Sequence, residues 1–295
     1  MTLRVGLVGA GPWAEMFHAP MLAAGPSTSL TAVWARRPEA AGELAAAYDA
    51  RAVESFDDLL TTCDAVAFAV PPSVQAVLAP RAARAGRHLL LEKPLAFTLP
   101  EAVAIADAVD AAGVQSLVVL RNRFTDEGRA FVAKAQAGRP LGALARFVSG
   151  ASLPGSVFAT PWRMELGAVF DLAPHAIDLL DAALGPVVGV SAAGDPLRWI
   201  GLTLEHQGGA VSQTALSITA PGDQAPFRIE AGTEQGAVVF DGGRSDDDPG
   251  VQEAISSAFA EAVSAGVAHP LDVHRGVFLQ RCLAKALADL SPSDH

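Results

Sequence analysis

Apolar and polar positions over the first 120 residues switch repeatedly between two periods. Short, nearly continuous apolar runs at Leu3–Val8, Leu30–Ala35, Asp64–Val70, His88–Leu91 and Gln115–Leu120 are too brief for helices and read as strands buried on both faces. Between them, Trp13–Ala24, Pro38–Tyr48, Ser73–Ala85 and Leu99–Ala112 read as helices. Pro38 suits a helix start, where a missing N–H does no harm. Ser55 is placed to cap a short helix through Leu60, with Asp57 and Asp58 in the first turn, which favours acids. Repeated βα units of this kind predict a parallel, doubly wound sheet.

The pattern changes after Arg121. A helix is expected at Asp126–Gly138, followed by alternating segments at Leu144–Ser149, Val187–Ala192, Ile200–His206, Ala210–Ser217, Phe227–Ala231 and Ala237–Phe240. Turn signals such as Gln207-Gly208-Gly209 and Glu234-Gln235-Gly236 separate them. A mainly antiparallel sheet follows from this. A helix at Asp171–Leu184 interrupts it; Pro174 is tolerated only in a first turn, so the helix starts near Leu172 or Ala173 with Asp171 at its cap. Helices at Gln252–Ala265 and Asp272–Leu290 close the chain, and Asp246-Asp247-Asp248-Pro249 reads as a solvated loop. The expected fold class is an α/β N-terminal domain over 1–120 and an α+β C-terminal domain over 121–295. The final helix is a candidate to pack back toward the first domain.

Composition narrows the function classes. With 295 residues, 51% hydrophobic and 18% charged, the chain can bury a large core and is too apolar for disorder. The apolar count is rich in alanine, and no run reaches the length of charge-free apolar sequence that spans a membrane. Residues 2–8 read as a strand and not as a signal peptide. A net charge of −11 disfavours nucleic acid and anionic membranes as partners. Cys63 and Cys282 are far apart and form no metal-ligand spacing; they read as buried thiols of a cytoplasmic protein.

The motif that carries chemistry follows the first strand: Gly6-Leu7-Val8-Gly9-Ala10-Gly11-Pro12-Trp13-Ala14. Gly9 permits a tight turn, Gly11 lets the backbone approach a pyrophosphate, and the helix N-terminus offers free N–H groups. Ala14 replaces the third glycine, on which only close helix–strand packing depends. This predicts a Rossmann dinucleotide site. After the second strand stand Ala35-Arg36-Arg37, with no acid until Glu39. Arginines there accommodate a 2′-phosphate, so NADP(H) is favoured over NAD(H).

Two further segments make the domain an enzyme candidate. Glu92-Lys93-Pro94 follows the His88–Leu91 strand, and ligands of open α/β sheets sit at the carboxyl ends of strands. Asp171-Leu172-Ala173-Pro174-His175 spaces an acid and a histidine by i,i+4. Hydride transfer needs a proton donor or acceptor at the reacting oxygen, and His175 is the best candidate because an unperturbed imidazole changes charge near neutrality. Lys93 could polarise that oxygen, and Asp171 could orient His175 or bind a hydroxyl. Taken singly, the lysine has an ordinary surface explanation and the Asp–His pair an ordinary capping one.

Over nearly its whole length the chain resembles the glucose–fructose oxidoreductase / inositol dehydrogenase (Gfo/Idh/MocA) family. The resemblance rests on Val5–Leu22 with His18-Ala19-Pro20, on Val70-Pro71-Pro72, Glu92-Lys93-Pro94, Arg121-Asn122-Arg123-Phe124, Trp162-Arg163, Asp171…His175…Asp178 and His269-Pro270. It implies Lys93, Asp171 and His175 as catalytic residues. It implies cofactor contacts from Gly9, Gly11, Pro12, Trp13, Ala14, Arg36, Arg37, Val70, Pro71, Pro72, Glu92, Trp162 and Arg163, with Lys93 shared. It implies substrate contacts from Arg121, Asn122 and Arg163 beside the catalytic three. His18 is read as a packing residue. The C-terminal sheet is expected to be open and to form homodimers or homotetramers. The chain departs from the family in its short length, in having only Gly167 before Asp171, in Gln75 where histidine is frequent, and in having Tyr48 as its one tyrosine. The expected activity is hydride transfer between nicotinamide and a hydroxyl or carbonyl carbon of a small polyhydroxylated substrate: a sugar, cyclitol or keto-sugar. The alternatives are an imine or ketone reductase of secondary metabolism, a non-catalytic NADP-binding regulator, and an obligate structural subunit.

Overall fold

The computed structural model describes residues 2–221, 227–242 and 248–290. The chain forms two compact units: Met1–Val119 with Asp246–Phe278, and Leu120–Ser245 with Leu279–His295.

In the first unit, β1 (Leu3–Val8), β2 (Thr28–Trp34), β3 (Arg51–Ala52), β4 (Ala65–Phe68), β5 (His88–Leu91) and β6 (Ser116–Val118) stand in the order β3-β2-β1-β4-β5-β6. Every neighbouring pair is parallel. β4 is buried at every position and β1 at every position but Arg4, as strands covered on both faces must be. The order reverses between β1 and β4, and an open α/β sheet offers its ligand crevice at the carboxyl ends there. The loops carrying Gly9 and Val70 follow those two strands. The helices between strands are α2 (Pro38–Ala47), α3 (Phe56–Thr62), α4 (Pro72–Arg84) and α5 (Leu99–Ala112). Ser55 caps α3 by accepting from the Asp58 N–H at 3.1 Å, as its sequence predicts. Thr98 and Glu101 form a reciprocal capping box on α5. The two exposed residues of β3 carry no periodicity, which is why the pattern misses that strand.

The stretch Asp246–Phe278 belongs with this first unit, whereas the sequence pattern places all of 121–295 in the second domain. Its helix α9 (Pro249–Ala265) packs beside β2 and β6. Val118 donates its N–H to the Leu271 carbonyl at 2.7 Å, and the Ser116 hydroxyl accepts from the N–H of Val273 at 3.0 Å, where α10 (Val273–Leu290) begins. Asp248 caps α9 through the Gly250 N–H at 2.8 Å, so the acidic run ends in a helix cap and is not loop throughout. Asp246 and Asp247 lie outside the described residues.

The second unit holds β7 (Pro140–Val148), β8 (Val187–Asp195), β9 (Trp199–His206), β10 (Val211–Ser217), β11 (Phe227–Thr233) and β12 (Gly236–Gly242), ordered β12-β11-β7-β10-β9-β8. Only the β7–β10 pair is parallel. One face carries Ile200, Leu202, Leu204, Ile229 and Phe240, all buried, and α6 (Asp126–Ala137) and α8 (Ala173–Leu184) pack on this sheet. The opposite face presents Leu144, Gln213 and Glu230 in one cross-strand row, and all three are exposed.

Two expectations change near α8. The pattern shows no helix before it, yet α7 (Pro161–Asp171) forms, bent at Gly167 with φ 70° and ψ −159°. A Cβ at Gly167 would stand 1.9 Å from the Pro196 carbonyl oxygen, so only glycine admits this bend. Asp171 therefore ends α7 and does not cap α8. The cap position is Leu172, in helical conformation and with no side-chain cap bond.

Candidate active site

The dinucleotide loop is built by β1. Gly9 turns with φ 117°, and its N–H donates to the Trp34 carbonyl at 2.8 Å. A Cβ there would meet the Ala69 carbonyl oxygen at 2.3 Å and Val70 Cγ1 at 3.1 Å, so the loops after β1 and β4 lie against each other. At Gly11, by contrast, a Cβ would meet nothing within 4 Å. Residues 12–23 are helical, with a wide π turn at Ala14–His18 between its ends. Ala14 is fully buried, consistent with a small residue under close packing. Arg36 and Arg37 are exposed after β2, Arg37 at the cap position of α2. Pro71 precedes α4 and Pro72 opens it.

The lysine loop leaves β5. Glu92 is buried, and its Oε1 accepts from Trp13 Nε1 at 2.7 Å and pairs with His18 Nε2 at 2.8 Å. Its Oε2 accepts the Lys93 backbone N–H at 3.1 Å. Burial pushes this carboxyl up, but the His18 bond and charge, the Lys93 charge and the Trp13 bond outweigh it and hold Glu92 below the usual carboxylate range. Lys93 is half-buried and precedes a cis Pro94. The fully buried Gln75 side chain accepts from the Glu92 N–H at 2.8 Å and donates to the Glu92 and Leu95 carbonyls at 2.8 and 3.0 Å. In the sequence Gln75 stands out only where the family has histidine, and its one signal is a polar residue on an otherwise apolar α4 face. Cys63 is a poor nucleophile candidate, since burial pushes its thiol up to about 11.

In the second unit, Asp171, His175 and Asp178 are all buried. Leu172 N–H bonds to the Ala168 carbonyl at 2.9 Å and Ala176 N–H to that of Leu172 at 3.3 Å. The helical ladder thus continues through Leu172, and positions 171, 175 and 178 fall along one stripe. Arg163 Nε lies 3.1 Å from Asp171 Oδ1, and its guanidinium carbon stands 4.4 Å from the Trp162 ring centre. Asp178 pairs with Arg123 at 3.2 Å, a partner that linear spacing could not identify. His175 packs at a ring distance of 6.3 Å from Phe147 on β7. Arg121 and Asn122 belong to the 3-10 turn Arg121–Arg123 and are half-buried. The sequence candidates thus form one group in each unit.

Two family models match in sequence order. One is described as oxidoreductase family, NAD-binding Rossmann fold, over residues 3–120; the other as GFO/IDH/MocA C-terminal domain, over residues 126–239. The chain belongs to the Gfo/Idh/MocA oxidoreductase family. A UDP-N-acetylglucosamine 3-dehydrogenase of Acidithiobacillus ferrooxidans is 29% identical over 97% of this chain and 95% of its own length. A dTDP-3,4-didehydro-2,6-dideoxy-alpha-D-glucose 3-reductase of Streptomyces violaceoruber is 32% identical over 65% of this chain, a match spanning 57% of that relative. Among solved structures, a myo-inositol dehydrogenase of Corynebacterium glutamicum superposes with TM-score 0.84 at 21% identity, covering 99% of this chain and 100% of the other. The WlbA dehydrogenase of Bordetella pertussis, solved with NADH and UDP-GlcNAcA, superposes with TM-score 0.83 at 24% identity over 98% and 96% of the two chains.

The first unit of this Gfo/Idh/MocA chain fits a dinucleotide on its own geometry. The open space at Gly11, the helix that starts beyond it, and the sheet reversal beside Gly9 together leave room and N–H donors for a pyrophosphate. No helix among the described residues is long and apolar enough to cross a membrane.

The Glu92 bonds set a pH dependence. Folded Glu92 binds its proton less tightly than an unfolded glutamate, so it stabilises the fold above the ordinary value of 4.5, and that contribution is lost as pH falls below it. Glu92→Gln should lower unfolding free energy at pH 7 by about 1–3 kcal/mol, the range for bonds to a buried charged group. Urea denaturation at several pH values should show the gap from wild type steady near neutrality and narrowing below about pH 4.5.

Proposed function

We propose that this chain is an NADP(H)-dependent oxidoreductase that moves a hydride between nicotinamide and a hydroxyl or carbonyl carbon of a small polyhydroxylated substrate. The observation that carries this reading is the bond from Trp13 to Glu92: the dinucleotide loop and the loop bearing Lys93 are tied together inside one unit. The sugar-nucleotide activities in the names of the two relatives support a sugar or keto-sugar as substrate.

A bound nicotinamide would supply or take the hydride. Gly9, Gly11, Pro12, Trp13 and Ala14 would hold its pyrophosphate side, and Val70, Pro71 and Pro72 would line the neighbouring strand end. Lys93 is assigned the stabilisation of developing negative charge on a substrate oxygen, and His175 the exchange of a proton with substrate. Asp171, with Arg163 on its carboxylate and Trp162 against the Arg163 guanidinium, is held in orientation. Arg121 and Asn122 contact substrate hydroxyls. In a panel of sugars and keto-sugars followed by NADPH absorbance, Lys93→Met and His175→Ala should each lose at least about a hundredfold in kcat, the usual scale of general acid–base catalysis. Wild-type turnover in both variants would overturn the assignment.

The preference for NADP(H) rests on Arg36 and Arg37, exposed directly after β2. Titration of both dinucleotides should show NADPH bound more tightly, and Arg36→Ala with Arg37→Ala should weaken NADPH by about tenfold or more while leaving NADH little changed, since each charge-assisted contact is worth about 1.5–3 kcal/mol.

The exposed face of the second unit's sheet supports a homodimer or homotetramer. Leu144, Val211 and Val239 are 65%, 45% and 43% exposed there, beside the small residues Gly201 and Ala215 that allow close approach. Leu144→Lys should shift the sedimentation of the purified chain toward monomer. The buried free thiols of Cys63 and Cys282 fit a cytoplasmic setting.

A further inference from the structure

In the reaction proposed above, Glu92 exchanges neither hydride nor proton, yet three donors of the first unit converge on its carboxylate. Two of them, Trp13 and His18, come from one helical run and stand five residues apart. At 3.6 residues per turn, a regular helix would send such positions about 140° apart. The π turn Ala14–His18, closed by the Ala19 N–H on the Ala14 carbonyl, removes that divergence and brings both side chains to one oxygen. Wide turns of this kind give up regular helix bonding and recur at functional sites.

His18 has no other polar bond among the described residues. It is 0% exposed, its Nδ1 is buried with no hydrogen-bond partner, and its Nε2 meets Glu92. Packing alone would be served better by an apolar side chain, since a buried polar atom without a partner is costly. Gln75 braces the same loop from α4 independently of the first helix, and a Cβ at Gly276 of α10 would stand 2.5 Å from Leu95 Cδ1. The loop therefore keeps its course without His18. What His18 adds is the register between this loop and the helix that follows Gly11.

We propose that His18 is a positioning residue: with Trp13 it fixes the Glu92 carboxylate, and through Glu92 Oε2 it fixes the backbone of Lys93 relative to the dinucleotide loop. The proposal rests on the reading of Lys93 as catalytic, and its test separates the two.

The variants are His18→Leu, which fills the space without a donor, and His18→Gln, which restores one. Amide hydrogen exchange of the cofactor-free full chain is read by mass spectrometry over the segment containing Lys93. Exchange there should rise by about tenfold in His18→Leu, with the β6 segment unchanged, and return to within about threefold of wild type in His18→Gln, as expected for loss of one local bond. In turnover, His18→Leu should lose about tenfold or more in kcat with dinucleotide Kd within about threefold, because small misplacements of a reacting group cost rate before binding. His18→Gln should recover most of that loss. Unchanged exchange at Lys93 in His18→Leu, or an equal loosening of the whole first unit in both variants, overturns the proposal. If no substrate is turned over, the catalytic reading fails while the exchange comparison still decides the role of His18. Should His18→Leu not fold, His18→Phe, which keeps an aromatic ring against Trp13 and Phe17 and removes the donor, is read by the same outcomes.

Discussion

A carboxylate taken out of water must find donors, and the placement of the functional loops in the first unit follows from where Glu92 finds them. Leaving a charge in the interior unpaired would cost several kcal/mol. The indole of Trp13 and the imidazole of His18 answer that demand from one side, and the Lys93 amide from the other. The first helix widens by a π turn to meet it, and the chain after β5 is held where its lysine follows directly on the carboxylate. One buried group thus relates the glycine loop after β1 to a loop bearing an amine.

The surroundings are made of close backbone approaches. Gly9 lies so near the Ala69 carbonyl that the loops after β1 and β4 are a single surface at the reversal of the sheet. Gln75 reaches the lysine loop from α4, satisfying backbone groups of Glu92 and Leu95. The second unit solves its own version of the problem with buried ion pairs. Asp171 has Arg163 from across the bend of its own helix, Asp178 has Arg123 from a distant segment, and His175 lies between the two acids on the same helical stripe. The bend at Gly167 lets α7 deliver Arg163 and Asp171 together.

Membership of the Gfo/Idh/MocA family is consistent with this construction, since its two models match the two stretches in order. The relatives' names centre on sugar and sugar-nucleotide oxidation and reduction, while the structural likenesses, all at low identity, speak to fold.

Much of this was legible from local pattern. The strands of the first unit other than β3, the glycine loop, the cap at Ser55 and the alternating strands of the second unit depend on periods and on turn chemistry, which act between near neighbours. The residues singled out for chemistry, Lys93, Asp171 and His175, were visible by motif. Other features came only from tertiary structure. The partners of Glu92, Asp171 and Asp178 lie on distant segments or across a helix defect, and no spacing rule pairs them. Helix α7 escaped notice because Gly167 breaks its period, and its bend is defined by the Pro196 carbonyl across the fold. The stretch Asp246–Phe278 joined the first unit because α9 and the start of α10 find their partners near β2 and β6, which the linear order places far away. By itself the sequence determined most of the strands and helices and which residues are candidates for chemistry; tertiary structure decided which buried charges meet, because desolvation penalises an unpaired charge wherever in the chain its partner lies.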